Sequence, residues 1–148
     1  MVWMVVRVRG SIHARHDIVQ TLHDLRLTRP NHATLLPEEP AMRGMLIAMQ
    51  GYVTWGEADQ PTVELLLRQR GEKPVGGRLT DGEGTPPEFP QLAATALKTG
   101  SLRLAGVRPV FRLKAPKGGW RSTKKPFARG GALGYRGSAI NELAKKMV

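Results

Sequence analysis

The sequence contains no cysteine, and aromatic residues make up only 5% of its 148 residues. The missing cysteine excludes disulfides, cysteine-ligated zinc sites and thiol catalysis. The longest uninterrupted apolar run covers residues 1–6, whereas a membrane-spanning helix requires roughly 18 residues. This run also lacks the basic leader and cleavage site of a signal peptide. We therefore expect an intracellular, soluble protein with no membrane contact.

Acidic side chains are absent from residues 89–141, although this stretch holds eleven basic ones. By segment, the net charge is +2 for residues 1–50, −2 for residues 51–100 and +11 for residues 101–148. The last third therefore accounts for the net charge of +11 of the whole chain. A carboxylate beside a phosphate is repelled, and each lysine or arginine there releases a condensed counterion. The charge distribution predicts a polyanionic partner, with RNA as the leading candidate.

The length and the hydrophobic content of 41% predict one globular domain with one modest core. Residues 1–56 show a β-α-β-α-β pattern, because alternating apolar positions are separated by two stretches of helical periodicity. We expect parallel strands with both helices as crossovers on one sheet face. The other face is expected to be open, unless another element or RNA covers it. The predicted class is α+β.

The rest of the chain divides into two predicted segments. Residues 57–113 contain two helices, a glycine- and proline-rich loop at residues 71–87, and an added strand at residues 107–113. Residues 114–148 form a basic extension. Residues 114–137 show little periodicity, and we expect them to become ordered against their partner. Ser138 is expected to N-cap a terminal helix, with Lys145 and Lys146 near its negative end.

Residues 114–129 combine lysine and arginine with glycine, proline, Trp120 and Phe127. Glycines allow backbone amides to approach phosphates, and the two aromatic rings offer faces for unstacked bases. The alternative is a disordered basic tail with Trp120 packed on the core. Arg129-Gly130-Gly131 resembles a single RGG element, which is weak evidence alone.

A second basic patch is predicted after the first strand, where Arg7, Arg9, His13, Arg15 and His16 are close in sequence. A metal site at the two histidines lacks further ligands and is not expected. In the second helix, Gly44 disfavours helical structure, so either a close approach of RNA or tight helix–sheet packing is expected to explain it.

Catalytic patterns find little support in the sequence. The acidic pairs at residues 38–39 and at residues 81 and 83 have no obvious base, nucleophile or positioning group beside them. The Gly118-Gly119 pair is not followed by the Gly-Lys-Ser/Thr of a phosphate-binding loop. We expect no enzyme activity, no cofactor and no small-molecule substrate.

Four short segments resemble one known family. Residues 31–38 read NHATLLPE, residues 43–45 read RGM, residues 112–119 read RLKAPKGG and residues 131–137 read GALGYRG. Together they resemble large-subunit ribosomal protein thirty in its longer archaeal and eukaryotic form, over essentially the whole chain. Ala115 departs from the pattern, because a proline is expected there. Bacterial members are similar only over roughly the first 56 residues.

The resemblance implies a ferredoxin-like sheet and a structural role in the cytoplasmic large ribosomal subunit. The implied partners are large-subunit ribosomal RNA and neighbouring ribosomal proteins, with 5S RNA left open. A free-standing RNA-binding regulator or chaperone, or an enzyme acting on RNA or nucleotides, are the alternatives. The residues expected to contact RNA are Arg9, His13, Arg15, His32, Arg43, Lys114, Lys117, Trp120, Arg121, Lys124, Lys125, Arg129 and Arg136.

Overall fold

The structure is a computed structural model that describes residues 2–10, 12, 14–72, 89–100, 102, 107–120 and 122–148. Of the predicted loop at residues 71–87, only residues 71 and 72 are described, and the rest lies outside the described residues. The elements in chain order are β1 (Val2–Arg7), α1 (His16–Asp24), β2 (His32–Pro37), α2 (Pro40–Ala48), β3 (Val53–Glu57), α3 (Gln60–Arg70), α4 (Phe89–Thr99), β4 (Phe111–Arg112), β5 (Ser122–Pro126), β6 (Gly131–Tyr135) and α5 (Ala139–Met147). A 3₁₀ turn at Phe127–Arg129 joins β5 to β6.

The strands form one sheet in the order β4-β2-β1-β3-β6-β5. β1 is antiparallel to both β2 and β3, and β2 is antiparallel to β4. β6 pairs in parallel with β3 on one side and with β5 on the other. A mixed sheet with helices confirms the predicted α+β class.

The central strand β1 is buried on both faces. Val2, Met4 and Val6 point into a core with α3, α4 and α5. Trp3 and Val5 point into a second core with α1 and α2. This follows from the two-residue alternation of side chains along a strand. The prediction that α1 and α2 share one sheet face is confirmed, while the later helices cover the face that was expected to be open.

The expectation that the first three strands are parallel is wrong for β1. The loop after α1 returns to the end of β1, where the backbone N–H of Asn31 donates to the Arg7 carbonyl at 2.7 Å. β2 therefore begins beside the end of β1 and runs antiparallel to it. β2 and β3 are parallel to each other, so α2 is a crossover as expected, but β1 lies between the two strands.

Two further expectations are corrected in the C-terminal third. The predicted strand at residues 107–113 is shortened to β4, because Pro109 has no N–H to donate to a ladder. The segment expected to be irregular contains β5 and β6. Their ladders use main-chain groups, so they form without the side-chain alternation by which sequence analysis recognises strands.

The terminal helix α5 is confirmed, with Ile140, Leu143 and Met147 buried in the core. Ser138 occupies the N-cap position, but its hydroxyl makes no capping bond, so this part of the prediction is wrong. The start of α5 is held instead by Asn141. Its side chain accepts from the Asp59 N–H at 3.0 Å and donates to the Glu57 carbonyl at 3.1 Å.

β6 approaches β3 closely through glycine and threonine. The Thr54 hydroxyl donates to the Gly134 carbonyl at 2.7 Å. Gly56 lies so close to Gly137 that a methyl group on Gly56 would collide with the Gly137 carbonyl oxygen. The absence of a side chain at Gly56 is therefore required for β6 and α5 to dock.

We predict that Gly56→Ala destabilises the protein by at least about 2 kcal/mol, because backbone atoms must move to admit the methyl group. Urea unfolding measures the loss. Gly51→Ala is the matched control, since a methyl group there meets no atom within 4 Å. Equal unfolding free energies for the two variants would contradict the close docking of β6.

Candidate nucleic-acid interface

The strand pairings bring basic residues from separate parts of the chain to one end of the sheet. β1 and β4 end there, whereas β2, β3, β5 and β6 begin there. Arg9 follows β1, and Arg112 in β4 lies opposite His32 at the start of β2. The backbone carbonyl of Arg29 accepts a hydrogen bond from the His32 N–H at 3.3 Å. We call Arg9, Arg29, His32 and Arg112 the basic end of the sheet.

Arg9 is exposed, and its guanidinium lies 5.4 Å from the centre of the Tyr52 ring. Arg7, by contrast, is only 4% exposed and is not part of the surface patch that the sequence predicts. The Arg7 guanidinium donates to the Leu27 carbonyl at 2.7 Å and to the Arg9 carbonyl at 2.9 Å. Burial lowers the pKa of Arg7. This side chain fixes the loop after α1 and so positions the basic end.

His32 is half-buried among positive charges. Burial lowers its pKa, and the charges of Arg112, Arg29 and Arg7 lower it further. Its Nδ1 atom is buried and has no hydrogen-bond partner among the described residues. The imidazole therefore resists protonation in the free protein. A phosphate at the basic end would act in the opposite direction and favour the charged form.

A second basic group forms where the chain after β4 meets the end of α5. The backbone N–H groups of Lys114 and Lys117 donate to the carbonyls of Met147 and Lys146, at 3.1 and 3.0 Å. These bonds satisfy carbonyls that the last turn of a helix leaves free. The exposed side chains of Lys114, Lys117, Lys145 and Lys146 are thereby brought to one region. We call these four lysines the lysine cluster.

Beside the lysine cluster lies a cavity of about 230 Å³ lined in part by Lys117, Trp120, Phe127, Arg136 and Glu142. The Trp120 indole is half-buried and donates to the Asn31 side chain at 3.2 Å. It also packs on the core, as the alternative interpretation expected. Phe127 is also half-buried. The rings of Trp120 and Phe127 therefore each keep only part of their surface for a base.

Arg136 has internal contacts that anchor β6. Its guanidinium donates to the Thr54 hydroxyl and to the Ala132 carbonyl, both at 2.8 Å, and lies 4.8 Å from the centre of the Phe127 ring. These contacts give Arg136 a structural role, whatever it contacts in a partner.

The outer strand β5 presents exposed cations along the sheet edge. Lys124 and Lys125 lie on β5, and Arg129 follows in the 3₁₀ turn. No carboxylate among the described residues forms an ion pair with these three side chains. Gly131 allows β5 to lie close, because a methyl group there would collide with the Lys125 backbone.

The remaining predicted contacts are more scattered. Arg15 is exposed and is paired with Asp17, to which its Nε donates at 3.1 Å. This hydrogen bond lowers the pKa of Asp17. Arg43 is exposed on α2. His13 and Arg121 lie outside the described residues.

Gly44 is exposed on α2 beside Arg43, and a methyl group there would meet no atom within 4 Å. Tight helix–sheet packing is therefore wrong as the reason for this glycine.

Several basic residues join the surface without having been predicted as contacts. Arg112 reaches the basic end through strand pairing, and Arg29 reaches it through the turn that leads into β2. Lys145 and Lys146 reach the lysine cluster through the docking of α5. The acid-free run already pointed to Arg112. The two terminal lysines were interpreted only as favourable charges at a helix end, because their proximity to Lys114 and Lys117 depends on tertiary contacts.

Within the described residues, no group of three or more histidines and carboxylates is arranged to hold a metal ion. In the same part of the chain, no helix has the length and apolar character to span a bilayer.

Similarity to known proteins covers nearly the whole chain. A family model for ribosomal protein L30p/L7e matches residues 3–53. The chain is 40% identical over 151 residues to large ribosomal subunit protein uL30 of Methanosphaera stadtmanae, which covers 99% of each protein. The chain belongs to this ribosomal protein family. The uL30 protein of Thermoplasma acidophilum is also 40% identical, over 97% of this chain and 91% of that protein.

The uL30 protein of Methanococcus maripaludis is 39% identical to this chain over 155 residues, and the match covers 100% of both proteins. The family-model match runs from β1 to the start of β3, whereas the archaeal uL30 proteins also match the C-terminal third. This confirms the resemblance to the longer archaeal form and the ferredoxin-like fold class of the L30p/L7e family.

We predict that His32 titrates below its ordinary pKa of 6.5 in the free protein, because burial and three arginines disfavour its charged form. The unfolded chain takes up this proton near pH 6.5, so stability should decrease as the pH falls from there toward the folded-state pKa. NMR titration of His32 measures the pKa directly. A His32→Gln variant should lose this part of the acid sensitivity. A His32 pKa at or above 6.5 in the wild-type protein would contradict the prediction.

Proposed function

We propose that this protein is a non-catalytic structural constituent of the cytoplasmic large ribosomal subunit and binds large-subunit ribosomal RNA. The observation that carries the proposal is the gathering of cations from β1, β2, β4 and the C-terminal segment on a surface with few carboxylates. The relatives that match the whole chain are named as large-subunit proteins. Neighbouring ribosomal proteins are proposed as further partners.

The surface fits a phosphate backbone better than it fits base edges. The cations of the lysine cluster and of β5 are lysines. An ammonium group acts toward phosphate as a point charge and has no base preference. The two aromatic rings near the cavity are partly covered, which limits base stacking. Recognition is therefore expected to depend on the shape of folded RNA, since the major groove of duplex RNA is too narrow to be read.

The first test concerns β5. Lys124→Ala with Lys125→Ala should weaken binding to in-vitro transcribed large-subunit ribosomal RNA and flatten its salt dependence. The log–log slope should decrease by roughly 0.7–0.9 for each lost phosphate contact. Filter binding at several salt concentrations measures this slope.

A matched control removes two exposed or half-exposed cations from the α3 and α4 ends, Arg70→Ala with Lys98→Ala. Its net charge equals that of the β5 variant, so a general charge effect should appear in both. An equal change in slope for the two variants would argue against direct phosphate contact at β5.

The second test concerns Gly44, which we propose lies close to RNA backbone. Gly44→Ala should stabilise the free protein by about 0.5–1 kcal/mol, because alanine is the better helix former and space is available. The same methyl group should weaken RNA binding several-fold. Higher stability with unchanged RNA affinity would show that RNA does not approach α2 there.

Two further experiments separate the alternatives. A ribosomal constituent should sediment with large subunits in stoichiometric amount through high salt, whereas a free-standing regulator should dissociate. Binding assays with purified 5S RNA decide whether that RNA belongs among the partners. Saturable binding that competes with large-subunit RNA would support a shared surface.

A further inference from the structure

A basic cleft of about 340 Å³ lies between the loop after α1 and the chain that leads into β4, and it adjoins the basic end of the sheet through Arg112. Three arginines and three apolar residues supply most of its lining: Arg26, Arg108, Arg112, Val107, Pro109 and Val110. We call this the arginine cleft. Its volume is near the lower limit of about 300 Å³ for ligand-binding pockets.

The arginine cleft carries more positive than negative charge. Glu72 is the carboxylate that pairs with its arginines, at 2.9 Å from Arg108 and 3.9 Å from Arg112. Arg26 has no side-chain hydrogen bond or ion pair with the described residues. Among the described residues, three guanidinium groups are thus opposed by one carboxylate, which leaves an excess of two positive charges.

Arg26 adopts a backbone conformation that L residues rarely take. It directly follows the C-cap of α1 and has a φ of 65°, where glycine or asparagine is usual. Left-handed conformations of such residues persist where the surrounding structure holds them, often at binding sites. No hydrogen bond, ion pair or ring contact of the Arg26 side chain with the described residues accounts for an arginine at this position.

The apolar side of the arginine cleft is held in place. The Thr34 hydroxyl donates to the Pro109 carbonyl at 2.8 Å, and the Arg108 N–H donates to the Glu72 carbonyl at 2.9 Å. Pro109 and Val110 therefore present a fixed apolar wall beside the arginines. A ligand that fits needs an anionic group and a flat apolar face in one small unit, which describes a nucleotide better than an inorganic anion.

We propose that the arginine cleft binds one unstacked nucleotide of the ribosomal RNA, an inference that rests on the function proposed above. Arg26 and Arg112 contact its phosphate, and the base lies against Pro109 and Val110. Single-stranded loops and bulges supply such nucleotides, and guanidinium planes also stack on bases. The cleft lies at the β4 edge of the sheet, opposite the β5 edge.

The test uses Arg26→Gly in the full chain. Glycine suits the left-handed backbone, so this variant should melt at the same temperature as wild type or higher. RNA affinity should decrease about tenfold, as expected for one charge-assisted phosphate contact. Arg26→Lys keeps the charge and should restore part of the affinity. Arg70→Ala, outside the cleft, is the control.

Chemical probing of the bound RNA locates the contact. Wild type should protect one unpaired nucleotide that stays reactive when Arg26→Gly binds. The nucleotides that depend on Lys124 and Lys125 for protection should still be protected by Arg26→Gly. An unchanged protection pattern for Arg26→Gly would overturn the cleft proposal alone. Absence of any RNA binding by wild type would instead overturn the proposed function.

A free nucleotide would present the same phosphate and base to the arginine cleft as an RNA nucleotide does. Adenosine and guanosine monophosphates, titrated into the protein alone and followed by NMR, should bind only weakly at the cleft. Tight binding of either one, without RNA, would show that the cleft serves a free nucleotide and would overturn its assignment to RNA.

Discussion

The parallel pairing of β6 with β3 is the contact on which the shape of the basic surface depends. It requires that Gly56 has no side chain, that the Thr54 hydroxyl reaches the Gly134 carbonyl, and that Arg136 bonds across both strands. Once β6 is in place, β5 becomes the sheet edge and α5 packs over the core. The C-terminal cations are thereby held by a packed sheet rather than by a loose tail.

The gathering of cations has an electrostatic cost in the free protein. Like charges at the basic end repel one another. Burial lowers the pKa of His32 most, and the neighbouring arginines lower this pKa further. Arg7 adds a buried charge whose hydrogen bonds go to the Leu27 carbonyl in the loop after α1 and to the Arg9 carbonyl just beyond β1. A bound polyanion would relieve this repulsion, so features that weaken the free protein would favour a complex with a polyanion.

Sequence analysis predicted much of the fold where side chains alternate or repeat clearly. The apolar alternation in β1 and the helical periodicity of α1 and α2 identified these elements, and α1 and α2 share a face as expected. Sequence analysis failed where main-chain pairing decides the direction and the position of a strand. The antiparallel position of β1 depends on a loop held by Arg7. β5 is a short polar strand and β6 is a short strand with two glycines, so neither shows an apolar alternation.

The order of residues alone determined the family and the charge asymmetry, because these depend on composition and local motifs. Tertiary structure decided which cations meet. Arg112 lies beside His32, and Lys117 beside Lys146, only because strands and helix ends separated by many residues pair through the backbone. Hydrogen bonding between main chains is nearly independent of side-chain identity, so no local pattern records these encounters.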